Sequence, residues 1–156
     1  MNRQERINRD TAPLIYVILD ESCLRTVVGG DGVVMSQQLV HVEQLARRPT
    51  YVVQVAPFGL GALRPFMRSM SLLDLGDGTS LGYTETHQRG YLENDRATVS
   101  AWAREYDLFQ VEALPQAASL TMISKARGTL QHELERRLDG CGLEQEQLQR
   151  QWWTVR

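Results

Sequence analysis

The amino-acid sequence predicts an α+β fold in which a small mixed sheet packs against helices and a helical extension follows at the carboxyl end. Three observations lead to this prediction: an order of strand, helix and strand over residues 14–58, two strand-like runs around a Gly-Asp-Gly turn at 76–78, and helical spacing of apolar residues from position 99 onward. We expect a polar lead-in at 1–13, a single α+β domain at 14–127 and the helical extension at 128–156.

The first three elements form a crossover unit. The apolar, β-branched run at 14–19 (LIYVIL) predicts a strand, and the run at 50–58 (TYVVQVAPF) returns to strand character. Between them, apolar residues recur at spacings of four, three and three, which is typical of an amphipathic helix: Met35, Leu39, Val42 and Leu45. Because the strands on either side of a crossover helix run in the same direction, we expect a parallel pair.

The next elements are predicted to be an antiparallel hairpin and a capped helix. The runs at 70–75 (MSLLDL) and 79–85 (TSLGYTE) flank the turn at 76–78, whose Asp and Gly residues accept positive φ angles. Asn94 or Asp95 can then cap a helix. Its core face carries residues spaced by three, four and three: Val99, Trp102, Tyr106 and Phe109.

A last helical stretch follows Pro115. Its apolar residues lie near one face, namely Leu120, Ile123, Leu130, Leu134 and Leu138. Gly128 weakens the middle of this stretch by about 1 kcal/mol relative to alanine, and the segment at 139–142 (DGCG) is expected to end it. The Gln- and Glu-rich remainder carries Trp152 and Trp153, which favours packing on the domain or on another chain.

Composition and charge exclude several classes of function. The formal net charge is −2 and sixteen arginines accompany a single lysine, so we expect no direct binding to nucleic acid. The polar start (MNRQERINRDTAP) does not resemble a secretory signal and no run is long enough to cross a bilayer, which predicts a cytoplasmic protein without a membrane partner. Cys23 and Cys141 form no Cys-x-x-Cys pair and are interpreted as two reduced thiols.

The stretch at 19–30 (LDESCLRTVVGG) has the appearance of a polar cluster, and we interpret it as a strand end followed by a capped turn. Asp20 is a preferred helix cap, and Glu21 would sit at the positive end of the turn. The glycines at 29–32 (GGDG) and 59–63 (GLGAL) fit neither a phosphate-binding loop nor a dinucleotide-binding loop, so we expect turns with positive φ. Arg25 is kept as a candidate ligand contact.

Polar residues inside predicted strands are the best candidates for a binding site. Gln54 lies within the second strand and Glu85 near the end of the hairpin. The side chain of each therefore needs a hydrogen-bond partner or a water-filled cleft. A small polar pocket on one sheet face would be lined by Arg25, Gln54, Tyr83, Glu85 and Tyr91. The alternative is a buried hydrogen-bond network or a solvent-facing side. His41, His87 and His132 are scattered and lack metal-ligand spacing, so we expect no metal.

Three segments occur in an order that resembles a known family. They are LDESCLR with the following VGG at 19–30, QLVHVEQLARRPTYVVQVAPFGLGA at 38–62, and YTETHQRGYLEND at 83–95. They are similar to the C-terminal domain of the WhiJ-like, antitoxin-like helix-turn-helix transcriptional regulators of actinobacteria, over about Arg3 to Arg127.

The resemblance implies a sensor or docking module of a regulator that binds DNA through a separate helix-turn-helix region. Such regulators are often encoded beside a small partner protein. The resemblance implies no catalytic residues. Because the helix-turn-helix region is missing from this sequence, the chain is interpreted either as a truncated regulator or as a stand-alone protein.

Two classes of function follow from these observations. The first is a regulatory ligand-sensing or protein-docking domain, with a small-molecule ligand, a small partner protein or a homodimer formed through the C-terminal helices. The second is a stand-alone small-molecule-binding protein or a biosynthetic enzyme of the cyclase or isomerase type that needs no cofactor. In an enzyme, acid/base catalysis would fall to Glu85 and His87.

Overall fold

The computed structural model describes residues 12–27, 32–63 and 69–141. Its strands and helices follow one another in the predicted order, with one further strand at Gly90–Glu93 that was not predicted. The strands are β1 (Ile15–Asp20), β2 (Tyr51–Ala56), β3 (Met70–Asp74), β4 (Ser80–Glu85) and β5 (Gly90–Glu93). The helices are α1 (Ser22–Arg25), α2 (Gly32–Ala46), α3 (Arg96–Glu112) and α4 (Gln116–Cys141), with a 3-10 segment at Phe58–Leu63 after β2. The predicted α+β class is confirmed.

β1 and β2 form a parallel pair joined by the crossover helix α2. Their register runs without interruption from Ile15 opposite Tyr51 to Asp20 opposite Ala56. One face of this pair carries Val53 and Val55 into the core, where they meet α2 and α4. Burial of that face is nearly complete, because Val55 is fully inaccessible to solvent. The alternation of buried and half-buried residues along most of β2 follows, because successive side chains of a strand point to opposite faces.

α4 runs antiparallel to α2 and closes the core. Near its start, the Gln116 side-chain amide donates to the carbonyl of Ala46 at 2.8 Å, and further along Arg127 pairs with Glu43 at 3.1 Å. The helix continues through Gly128 to Cys141, so it crosses the position where we placed the start of the C-terminal extension. Beyond that position Leu134 packs against Gly32, where a Cβ would approach it to 3.2 Å.

The antiparallel strands form a sheet of their own in the order β3, β4, β5. Both predicted pairings, parallel and antiparallel, are present, and among the described residues they belong to two sheets instead of one mixed sheet. α3 contacts both sheets, through β2 and β4. Trp102 lies directly on Gly82 of β4, where only a residue without a Cβ leaves room for the indole.

α3 begins at the predicted cap. The Asp95 carboxylate accepts hydrogen bonds from the N–H group and the hydroxyl of Thr98, at 2.9 and 2.8 Å. The positive φ expected of turn glycines is found at Gly61 and Gly78, whereas Gly32 is the first residue of α2 and the rest of its predicted turn lies outside the described residues. None of the helices within the described ranges has both the length and the apolarity to span a bilayer.

Candidate functional site

The first candidate site lies where the parallel strands end, and we call Glu21, Arg25 and Phe58 the strand-end cluster. Asp20 accepts the N–H of Ser22 at 2.8 Å, as expected of a residue that caps the turn. The N-cap position itself belongs to Glu21. Glu21 lies at the positive end of the turn as expected, and its side chain is buried, with only 6% of the residue exposed.

Glu21 is buried because both of its carboxylate oxygens have partners. Oε1 accepts from Arg25, at 2.8 Å from Nε and 2.6 Å from Nη2. Oε2 accepts the backbone N–H of Phe58 at 2.8 Å, which ties α1 to the 3-10 segment after β2. The guanidinium of Arg25 lies 5.9 Å from the centroid of the Phe58 ring, at the distance of a cation–π contact. The cluster therefore joins two chain segments that are distant in sequence.

Gln54 is not part of the strand-end cluster. Its side-chain amide donates to the carbonyl of Leu114 at 3.1 Å and to that of Gln110 at 3.4 Å. These carbonyls belong to the last turn of α3 and the residues after it, where helical backbone acceptors lack intrahelical donors. Gln54 is half-buried and its amide is hydrogen bonded, and its ligand-binding role stays a prediction.

The antiparallel sheet has one covered and one open face. Gly82 and Thr84 point toward α3, where Gly82 lies beneath Trp102 and Thr84 is buried. Tyr91 is paired with Thr84, and paired residues of antiparallel strands share a face, so Tyr91 belongs to this covered side while remaining half exposed at the sheet edge.

The opposite side of this sheet, which we call the outer face, is apolar and open. Leu73 is paired with Leu81, and Leu92 is paired with Tyr83. Alternation along β4 places the two pairs in adjacent rows on the same face. Leu73 is 46% exposed and Leu92 68% exposed. Four large side chains thus form a continuous surface patch instead of scattered exposed residues.

Glu85 adds a charge to one end of the outer face. The Tyr83 hydroxyl donates to the Glu85 carboxylate at 3.0 Å. Because only the neutral phenol can donate this hydrogen bond, it raises the pKa of Tyr83 above its ordinary value. Tyr83 also leans over Gly90, where a Cβ would collide with its ring and hydroxyl. The pair is therefore held in place from two sides.

His87 lies in the turn between β4 and β5. The backbone N–H of Thr86 donates to the carbonyl of Arg89 at 2.8 Å, which closes the turn and leaves the imidazole exposed. Within the described part of the chain, His87 has no hydrogen bond that would orient it toward Glu85. The catalytic roles of Glu85 and His87 stay a prediction.

The five predicted ligand contacts fall into four places. Tyr83 and Glu85 are together on the outer face, and Tyr91 lies across the same sheet on its covered side. Arg25 belongs to the strand-end cluster, and Gln54 lies beneath α3. These residues therefore lie on separate surfaces, and their ligand-binding role stays a prediction.

The surface of α4 carries one further concave feature. A shallow, open cavity of about 400 Å³ is lined by Leu120, Thr121, Ser124 and Lys125 on the surface of α4. Among the residues with described positions, no group of three or more His, Cys, Asp or Glu side chains is placed to hold a metal ion.

The fold and its two surfaces define a small α+β domain with an open apolar sheet. The chain belongs to the family described as a domain of unknown function (DUF5753), whose model matches residues 1–125. This match includes the strand-end cluster, the outer face and α3, and it ends within α4. No curated protein and no solved structure matches the chain.

Proposed function

We propose that this chain is a regulatory protein-docking domain whose partner protein binds the outer face of the antiparallel sheet. The observation that carries the proposal is the contiguous patch formed by Leu73, Leu81, Tyr83 and Leu92 on a face that no described element covers. Contiguous exposed apolar patches on soluble domains mark interaction sites more often than isolated exposed leucines do.

The resemblance to the WhiJ-like, antitoxin-like regulators supports the same proposal. In those proteins the corresponding domain is the sensor or docking module, and the gene of a small partner protein is often adjacent. One segment that carries the resemblance, YTETHQRGYLEND at 83–95, supplies part of β4 and all of β5, including Tyr83 and Leu92 of the outer face. The partner is therefore proposed to be the product of a neighbouring gene.

The chemistry of the outer face defines what the partner must present. Apolar side chains have to cover the two leucine-containing rows, because their burial supplies the free energy of association. Glu85 is the charged residue that the described strands place on this face, and it favours an arginine or lysine at the matching position of the partner. We propose an amphipathic segment with a basic residue at one end.

The test is a calorimetric titration of the purified chain with the purified products of its adjacent genes. Leu92→Arg is expected to weaken binding at least about tenfold, since it places a charge within an apolar contact. Leu14→Arg is the matched control, because Leu14 is 67% exposed and lies just before β1, away from the outer face.

Two results would contradict the proposal. The first is that no neighbouring product binds the chain. The second is that Leu14→Arg and Leu92→Arg weaken binding to the same extent, which would show that the outer face is not the binding surface. Far-UV circular dichroism of both variants checks that the fold is retained.

The ligand-sensing alternative has a specific location in the strand-end cluster. Ligands of α/β sheets bind outside the carboxyl ends of parallel strands, and the cluster occupies that edge with an Arg25 side chain that is 64% exposed. A thermal-shift screen against metabolites, repeated on Arg25→Ala, tests this function. A shift that disappears in the variant would favour ligand sensing over docking.

A further inference from the structure

α3 carries a second exposed apolar surface, which is separate from the outer face of the sheet. Leu108 is 70% exposed and Val111 is 81% exposed, on the side of the helix opposite the buried Val99 and the Trp102 that packs on Gly82. With Arg104 and Glu112 they occupy one side of the helix at spacings of four, three and one, and we call these four residues the α3 stripe.

The charges of the α3 stripe are arranged around its leucine. Arg104 lies one turn before Leu108 and Glu112 one turn after it, and both are exposed. Neither forms an ion pair or a side-chain hydrogen bond with any residue that the structure describes. Leu108 thus has opposite charges at equal distances on its two sides. If a second α3 runs in the reverse direction, each charge lies level with the opposite charge of the other copy.

We propose that the chain forms a homodimer in which α3 packs antiparallel against α3 of a second copy, with the two-fold axis at Leu108. In a two-fold interface the same patch serves both subunits, so each contact occurs twice. Arg104 then lies level with the partner's Glu112, and Glu112 with the partner's Arg104. Val111 lies level with the partner's Glu105, whose methylene groups can cover it.

The charges select this orientation over a parallel one. A parallel pair in register would place Arg104 against the partner's Arg104 and Glu112 against the partner's Glu112, so like charges would meet at both ends. The antiparallel pair replaces both repulsions by attractions. The inference is independent of the proposed function, because the α3 stripe and the outer face lie on different elements.

The helix is well fixed for such a contact. At its start Asp95 caps it, in its middle Trp102 packs on Gly82, and at its end Gln54 binds the carbonyl of Gln110. The α3 stripe is therefore presented by a rigid element that need not be ordered on association. Because a single helix pair buries little area, we expect a weak dimer whose population depends on protein concentration.

Sedimentation equilibrium of the full chain over a range of concentrations tests the proposal. We expect a monomer–dimer equilibrium, and Leu108→Glu is expected to abolish the dimer. Arg104→Glu and Glu112→Arg should each weaken it at least about tenfold, because two-fold symmetry turns two attractions into two repulsions. The double variant with both charges exchanged restores the attractions and should dimerise like the wild type.

Leu92→Arg on the outer face is the control for a charge added to an exposed leucine elsewhere, and it should leave the dimer unchanged. The proposal is overturned if the chain is monomeric at all concentrations, or if the double charge exchange dimerises no better than the single variants. It is also overturned if Leu92→Arg abolishes the dimer while Leu108→Glu does not, since this result would assign self-association to the outer face.

Discussion

The carboxylate of Glu21 accepts a hydrogen bond of 2.8 Å from the backbone N–H of Phe58, 37 residues further along the chain. Glu21 follows β1 and Phe58 follows β2 after one intervening residue, so this contact joins the ends of two parallel strands. The same carboxylate holds the Arg25 guanidinium. One buried side chain thus fixes the turn after β1 and the 3-10 segment after β2 relative to each other.

Replacing Glu21 by alanine is expected to lower the free energy of unfolding by about 2 kcal/mol, because the partly buried N–H of Phe58 loses its acceptor. Urea unfolding measures the change. Glu85→Ala is the control, since its exposed carboxylate has a single described donor, Tyr83, and its removal should cost no more than about 0.5 kcal/mol. A loss for Glu21→Ala of no more than about 0.5 kcal/mol would contradict this prediction.

Gly82 is the position where the antiparallel sheet meets α3 most closely. A Cβ there would lie 2.5 Å from the Trp102 ring, so Gly82→Ala forces the indole or the strand to move. We expect a loss of about 1–3 kcal/mol, which is typical of overpacking. Gly76→Ala is the matched control, because a Cβ at this turn position meets no atom within 4 Å and its φ is not positive. Thermal unfolding of both variants compares them, and a fully stable Gly82→Ala would contradict the observed contact.

The N-cap of α3 gives stability a specific dependence on pH. Hydrogen bonds from Thr98 hold the pKa of Asp95 below its ordinary value of 3.8. The ionised cap therefore contributes fully above pH 3.8, and its contribution is lost as the pH falls through the lower pKa of the folded state.

Asp95→Asn should accordingly destabilise the chain at neutral pH, and the difference from wild type should shrink on acidification. Unfolding curves recorded over this pH range measure the difference. Asp107→Asn on the same helix is the control, since the Asp107 carboxylate is exposed and accepts no described hydrogen bond. A difference for Asp95→Asn that does not change with pH would rule out the ionised cap.

Local patterns were sufficient to predict most of the fold. The spacing of Val99, Trp102 and Tyr106 predicts α3, and Asp95 marks its first turn because a cap acts on N–H groups only three residues away. The crossover of β1 and β2 follows from their short, apolar character and the helix between them. The division into two sheets was not predicted, because strand pairing between distant segments is not encoded in a local pattern.

The candidate sites were harder to predict because their partners are not local. Glu21 accepts a hydrogen bond from the backbone N–H of Phe58. The sequence does not indicate which backbone N–H group a side chain will bind. Tyr83 lies in a predicted strand and Tyr91 in β5, which was not predicted, and the two side chains lie on opposite faces of the sheet. A glycine inside a strand often marks a place where another element approaches the strand closely. Gly82 was therefore the residue in the sequence that could indicate which face of the sheet α3 covers.

The buried hydroxyl of Ser119 joins β2 to the loop before α4. It accepts the N–H of Val55 at 2.9 Å and donates to the carbonyl of Leu114 at 3.0 Å. Ser119→Ala leaves the buried N–H of Val55 without an acceptor, and we expect a loss of about 1–3 kcal/mol in urea unfolding. Ser124→Ala, on the exposed side of the same helix, should change stability by less than about 0.5 kcal/mol. A neutral Ser119→Ala would refute this assignment.

Tyr106 differs from Ser119, because its buried hydroxyl has no hydrogen-bond partner among the described residues. Burial raises the pKa of Tyr106 above 10.0, which agrees with a phenol held out of water. Removing an unsatisfied hydroxyl while keeping the ring relieves a desolvation cost, so Tyr106→Phe should be neutral or stabilising by up to about 1 kcal/mol. Two hydroxyl deletions in the same urea series, Tyr106→Phe and Ser119→Ala, are therefore expected to differ in sign or in size. A loss for Tyr106→Phe as large as that for Ser119→Ala would show that the phenol is hydrogen bonded in solution.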